Sequence, residues 1–205
     1  AEGYKFLAIA IFITIFLYFL SSFTGLIGLV LTIWVYYFFR DPERISINDE
    51  NYLTSPADGE VLMVHEVDGP KELNLENKKF TKISIFMNVF DCHVNRTPCA
   101  GKITEILYKP GKFFNASLDK ASEENERNYF KIKTKNGDEV IVVQIAGLVA
   151  RRIVCETSQD QELKQGDRIG MIRFGSRADV YFNNYKTLVT VGQRTISGET
   201  LLAKK

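Results

Sequence analysis

Across 205 residues, 26 lysines and arginines balance 25 aspartates and glutamates to a net charge of +1, which gives no overall basic field for nucleic acid. A hydrophobic share of 45% suits one soluble domain with an appendage. Cys92, Cys99 and Cys155 lack CxxC spacing and are odd in number, so neither a zinc site nor a disulfide framework is expected, and reduced thiols fit best.

The appendage is N-terminal. Phe6 to Phe39 is a run of 34 residues without a charge. A secretory signal would have a shorter apolar core and a small-residue cleavage site. As one straight helix the run would extend about 50 Å, against a hydrocarbon core of about 30 Å. The sequence SSFTG at 21–25 offers a break into halves of roughly 15 residues each. A helical hairpin or re-entrant anchor is therefore expected in preference to two full spans, with one long tilted helix as the alternative. Trp34, Tyr36 and Tyr37 suit an interfacial belt, and Arg40 and Arg44 just beyond it favour a cytoplasmic location for the domain on their C-terminal side. A buried hairpin of a soluble protein would carry a polar face, and this run has none.

After the polar exit at 40–59, punctuated by Asp41-Pro42 and Ser55-Pro56, the signals are mostly strand-like. EVLMVHEV, KISIFMNVF, GKITEILYK, YFKIKTKNGDEVIVVQIA, RIGMIRF, ADVYF and TLVTV are short and rich in β-branched and aromatic residues. TKNGDE predicts a two-residue Asn-Gly hairpin. NASLDKASEENERN, at 115–128, is the one helical or irregular insertion expected. LKQGDRIGMIRFG and VTVGQRTISGETLLA share a glycine, a polar pair and a return to strand, and SPADGEVL has a similar turn. The expected fold class is mainly β: a compact barrel-sandwich with lipoyl/biotinyl-like hammerhead elements, preceded by the hydrophobic hairpin. The modified lysine of lipoyl and biotinyl carriers has no counterpart in these turns.

Candidate chemistry is sparse. His65 lies within a strand run and reads as structural. His93, in DCHVNRTP, sits among Asp91, Asn95 and Arg96 at a strand end, where a rigid scaffold presents a site; it reads equally as a functional group and as a histidine satisfying local hydrogen bonds. Asp58, in SPADG, reads as a turn residue unless something recruits it. Ser176 follows Gly175 directly, with no glycine after Arg177, which is not the Gly-x-Ser-x-Gly of a hydrolase elbow. Phosphate-loop, dinucleotide and metal-ligand patterns are lacking, so neither nucleotide nor metal chemistry is expected.

FFRDPER, SPADGEV, FMNVFDCHVNRTPCAGKI, YKPGKFFNASLDKASEENERN, QIAGLVARRI and GDRIGMIRFGSRADVYF, in this order, resemble phosphatidylserine decarboxylases. More narrowly they resemble the short archaeal and bacterial type, which includes archaetidylserine decarboxylases. The resemblance runs from about Phe38 to Val191 and extends to the apolar N-terminus. It implies a zymogen that cleaves itself between Gly175 and Ser176, into a β chain of residues 1–175 and an α chain of 176–205. Ser176 would become a pyruvoyl group, the electron sink for decarboxylation that pyridoxal phosphate supplies elsewhere, so no pyridoxal phosphate is expected. A glycine before the serine leaves its carbonyl open to attack.

The resemblance also assigns roles. Asp58 matches the acid of the PADG motif, part of an Asp-His-Ser arrangement, and His93 matches the first histidine of H-x-x-H-x-P. Arg96 stands where long-type enzymes have the second histidine, and FGSR where they have LGST. His93 is thus the expected proton donor in decarboxylation, with a share in cleavage. Arg96 is a poor base and is expected to bind substrate carboxylate or phosphate, the alternative being an ion pair with Asp91. Asn95 and Lys112 complete the expected substrate-binding set. Lys109, Lys112, Phe113 and Phe114 would face the lipid interface, the alternative being a buried aromatic pair. The chain then divides into a membrane anchor, 1–40, and a decarboxylase domain, 41–205, on the cytoplasmic side of the cell membrane. The implied partners are a serine phospholipid, the membrane and the two cleavage fragments with each other; a homo-oligomer is compatible. The competing class is a non-enzymatic, membrane-anchored adaptor, which would keep its chain whole.

Overall fold

The computed structural model describes residues 2–117, 121–148, 152–173 and 176–205, and divides into two compact units, Ala1–Pro42 and Glu43–Lys205.

The first unit is a helical hairpin. Helix α1 (Glu2–Leu20) and helix α2 (Ser22–Phe38) run antiparallel, with Thr14 hydrogen-bonded to Thr32 at 2.8 Å and the rings of Phe6 and Phe39 stacked. The break falls within SSFTG but takes a single residue, Ser21. Its Oγ accepts the Phe23 N–H at 3.2 Å and caps α2, so the two halves are longer than expected. Gly25 and Gly28 let the helices approach closely: a Cβ on Gly25 would lie 2.8 Å from Tyr18. Gly3–Leu20 is long and apolar enough to cross a membrane, whereas the apolar helix Ser22–Phe38 is shorter.

The second unit is mainly β, as the strand-rich sequence demands. Its strands are β1 (Tyr52–Thr54), β2 (Gly59–Asp68), β3 (Lys79–Met87), β4 (Val94–Arg96), β5 (Gly101–Lys109), β6 (Arg127–Lys133) and β7 (Glu139–Ile145). They continue as β8 (Ile153–Cys155), β9 (Glu162–Leu163), β10 (Arg168–Ile172), β11 (Ser176–Phe182), β12 (Lys186–Thr187), β13 (Arg194–Thr195) and β14 (Leu201–Lys204). TLVTV thus contributes only the end of a two-residue strand.

The largest sheet has the order β13-β2-β3-β11-β7-β6-β5-β9, and two three-stranded sheets, β1-β14-β12 and β4-β10-β8, accompany it. Strand β11 lies deep inside the large sheet, antiparallel to β3 on one side and β7 on the other. Side chains alternate along it. Ala178, Val180 and Phe182 enter the main core with Ile83, Ile85, Val140 and Val142, while Tyr181 packs against a second cluster formed by Leu73, Phe80, Ile141 and Val143. Both faces are covered, which is why EVIVVQI reads as an almost unbroken apolar run. Each fully buried Ile or Val contributes about 1.5–3 kcal/mol.

The Asn-Gly hairpin differs from its expected form. Thr134 N–H donates to Asp138 O at 3.0 Å, and of the loop residues 135–137 only Gly137 has a positive φ, +87°. This is a three-residue loop closed by a left-handed glycine, because a two-residue type I′ turn needs positive φ at both central positions. The charged insertion holds one short helix, α3 (Ala121–Glu124), and is pinned by Asn125, whose amide donates to Phe114 O at 2.8 Å and Ala146 O at 2.7 Å.

Candidate active site

Ser176 opens β11, fully buried, directly opposite Met87 of β3. Gly175 lies outside the described residues. Among the described residues, the hydrogen-bonding contact of Ser176 Oγ is the Met87 thioether at 3.8 Å. Sulfur is a weak acceptor, so this buried hydroxyl is held loosely and away from water, an arrangement a folded core tolerates poorly unless the hydroxyl is used.

The same sulfur receives the Asn95 amide at 3.5 Å, and that amide also donates to Pro56 O at 3.3 Å. Asn95 Oδ1 accepts from Gln144 Nε2 at 2.9 Å, and Gln144 Oε1 accepts from Asn128 Nδ2 at 3.4 Å. The Gln144 donor fixes which end of the Asn95 amide is oxygen, and so aims its NH₂ towards Met87 and the turn at Pro56. The backbone completes the join, with Arg96 N–H donating to Pro56 O at 2.9 Å. SPADG, DCHVNR and the Ser176 strand, far apart in sequence, thus meet through Pro56, Asn95 and Met87.

Gly59 ends this turn where a Cβ would collide with the Phe86 carbonyl, so β2 can close onto β3 only without a side chain there. Asp58 points to other partners: Oδ1 accepts the Ser197 N–H at 2.8 Å, and Oδ2 pairs with Arg44 at 2.7 Å. Among the described residues no hydrogen bond joins Asp58 to His93. Arg44, expected to mark the membrane boundary, is thereby also a neighbour of the site.

His93 is fully buried, and its Nδ1 lies 2.9 Å from the Asp91 carbonyl oxygen. A carbonyl only accepts, so Nδ1 carries a proton and donates it to that oxygen. The Asp91 carboxylate is taken by Arg194 and by the Asn88 N–H at 2.9 Å. Asp91 therefore pairs with Arg194 and not with Arg96, which corrects that alternative; its partner comes from β13, too distant in sequence to be paired by eye. Arg96 donates to Gly166 O at 3.0 Å. Burial, and then the adjacent Arg44 charge, push its pKa below the ordinary value, while Cys92, Asp58 and Asp167 oppose the shift. It remains a cation at neutral pH, half of a two-arginine cluster around Asp58.

Lys112 is exposed, pairs with Glu124 at 2.9 Å and lies over the Phe114 ring. Those contacts belong to the 110–126 segment and not to the residues around Ser176. The aromatic pair divides: Phe113 packs against the main core and Phe114 is 40% exposed. His65 is exposed on β2. Burial pushes the Cys99 thiol up to about 12, which leaves it inert.

Met87, Gln144, Arg194 and the pair Arg177–Asp179 were not singled out by sequence. Gln144 carried a signal, one amide in the apolar run VIVVQIA, and a polar residue inside such a strand must find a buried partner.

Comparison with known proteins gives the family. The sequence model of the phosphatidylserine decarboxylase family matches residues 31–203. The phosphatidylserine decarboxylase proenzyme of Pelagibacter ubique (strain HTCC1062) is 84% identical over 205 residues, covering 100% of this chain and 95% of the relative. Proteins of the same name from Ruegeria pomeroyi (strain ATCC 700808 / DSM 15171 / DSS-3) and Cereibacter sphaeroides (strain ATCC 17025 / ATH 2.4.3) are 54% and 51% identical over 203 residues. Each alignment covers 98% of this chain, with 93% and 88% of the respective relatives.

Proposed function

Because the chain belongs to the phosphatidylserine decarboxylase family, we propose that it is a membrane-anchored, self-cleaving decarboxylase that converts phosphatidylserine to the ethanolamine lipid and CO₂. The observation that carries the reading is Ser176: a buried hydroxyl held by little more than a thioether, at the head of an inner strand, where the PADG and DCHVNR segments meet. The relatives' names favour phosphatidylserine, a diacyl lipid, over the ether-linked archaetidylserine that carries the same headgroup.

In this reading the Ser176 hydroxyl attacks the Gly175 carbonyl, and the peptide bond becomes an ester as the amide nitrogen takes up a proton. Elimination across Cα–Cβ releases Gly175 as a carboxylic acid and leaves dehydroalanine. Water then replaces nitrogen, lost as ammonia, and a pyruvoyl group heads the 176–205 chain. Position 176 fits such a group: a loosely bonded hydroxyl is free to attack the preceding carbonyl, and the Asn95 NH₂ beside Met87 is a donor for a carbonyl. Once formed, the pyruvoyl group supplies the electron sink for loss of CO₂.

The remaining work falls to side chains. His93, with Nδ1–H held by the Asp91 carbonyl, takes up a proton at Nε2 and, as the imidazolium, delivers it to the substrate carbon. Arg96 and Arg44 supply positive charge for carboxylate or phosphate, and Arg44 also holds Asp58. Asp58 fixes the turn that carries Pro56 through its bond to the Ser197 N–H. Lys112 and the exposed Phe114 suit headgroup contact at the interface. The hairpin anchors the chain so that the lipid's tails stay in the bilayer, with the catalytic unit on the cytoplasmic side.

The test is CO₂ release from phosphatidylserine vesicles by the purified full chain. Wild type should release CO₂ and Ser176→Ala should not; equal release by both would overturn the reading.

A further inference from the structure

The residue after the proposed cleavage serine is, among the described residues, the largest side chain to be fully buried, and it is an arginine. Arg177 points to the opposite face of β11 from Ser176, as alternation requires. Its guanidinium is bidentate on Asp179, two residues along the same face, with Nε to Oδ1 at 2.7 Å and Nη2 to Oδ2 at 2.8 Å. Nη1 reaches across to the carbonyl of Ala116, itself buried in the 110–117 segment, at 3.4 Å. A planar fork can make all three contacts at once; a lysine ammonium cannot reproduce the bidentate pair.

This arrangement acquires a purpose if the chain is severed before residue 176. Strand β11, whose first residue is Ser176, then starts at a free chain end, and chain ends fray unless they are tied down. Backbone pairing alone starts at the break, with Ser176 opposite Met87 and Arg177 opposite Ile145. The Arg177 side chain adds a second hold: it is braced by Asp179 within the C-terminal fragment and docked on Ala116 of the N-terminal fragment. Resting on the self-cleavage reading, we infer that Arg177, braced by Asp179, is a positioning residue that keeps position 176 in register at the head of β11 after scission. It acts through the backbone and touches no substrate.

The decisive variant is Arg177→Met/Asp179→Leu in the full chain, which replaces both partners by apolar groups and strands no buried charge. Scission is read by intact mass, folding by thermal midpoint, and kcat and KM on phosphatidylserine vesicles are expressed per cleaved molecule. The double variant is expected to fold and cleave, to lose about tenfold or more in kcat, and to keep KM within about twofold. Hydrogen exchange over 177–182 should quicken, and Arg177→Lys should recover part of kcat. Wild-type kcat in the cleaved double variant would overturn the assignment, and so would a folded double variant that does not cleave, since the role would then precede scission. Should the double variant not fold, Arg177→Lys decides: a lower kcat at unchanged KM supports the assignment and an unchanged kcat overturns it. A wild-type chain that stays whole overturns the self-cleavage reading itself, and mass alone reveals it.

Discussion

Gln144 holds Asn95: its Nε2 donates to Asn95 Oδ1 at 2.9 Å, in a fully buried pair that bridges β7 and β4. Because Asn95 shares the Met87 sulfur with Ser176, Gln144 orients a group beside that serine without reaching it. Gln144→Leu would leave Asn95 Oδ1 and the Asn128 amide without these partners, at a cost of about 1–3 kcal/mol. The expected result is a lowered thermal midpoint and scission slower by about tenfold, followed by mass over time. Scission at the wild-type rate would show that the Asn95 amide has no part in it.

His93→Asn separates the two ring nitrogens. The asparagine amide can keep the bond to the Asp91 carbonyl that Nδ1 now makes, but nothing replaces Nε2. Decarboxylation per cleaved molecule should fall by about 10²–10⁴-fold with little change in thermal midpoint. A variant that turns over normally would move the proton donor elsewhere.

Much of this could be read from the sequence, for identifiable reasons. Charge-free residues 6–39 with a serine break favoured a hairpin over one long helix, and alternating β-branched runs pointed to most of the sheet. Asp58, His93, Asn95 and Arg96 were visible because their motifs are local. What stayed hidden was long-range. Asp91 pairs with Arg194, Asp58 with Arg44 and the Ser197 N–H, and Asn95 with Gln144, and no periodicity reports such contacts. The buried Arg177 was obscured for another reason, since an arginine in a strand ordinarily faces water. A second charge at the same face, Asp179, helps to make its burial tolerable.

Glu72 offers a pH test of the second core face. It pairs with Lys109 at 2.8 Å and Arg127 at 3.4 Å. Burial pushes its carboxyl up, but the Lys109 hydrogen bond and the Arg127 and Lys109 charges outweigh that and hold the pKa below the ordinary 4.5. The unfolded chain then binds the proton more tightly, so the stabilisation is complete above the ordinary value and lost as pH falls towards the folded one. Wild type should therefore melt higher than Glu72→Gln at neutral pH, with the gap closing below about pH 4. A gap independent of pH would mean that the carboxylate charge is not the source.

The C-terminal thirty residues contribute β11 to the large sheet between β3 and β7, β13 beside β2, and β14 between β1 and β12. A fragment woven in at three places should stay bound after its tether is cut.

The most direct measurement is the intact mass of the purified wild-type chain under denaturing conditions, beside its elution in native buffer. Self-cleavage at 175–176 predicts two species, the smaller about 3.4 kDa by proportion from 23.4 kDa for 205 residues, with a blocked N-terminus and co-elution in native buffer. Ser176→Ala should give the single full-length mass. An active wild-type preparation consisting only of the uncut 23.4 kDa chain would contradict the account.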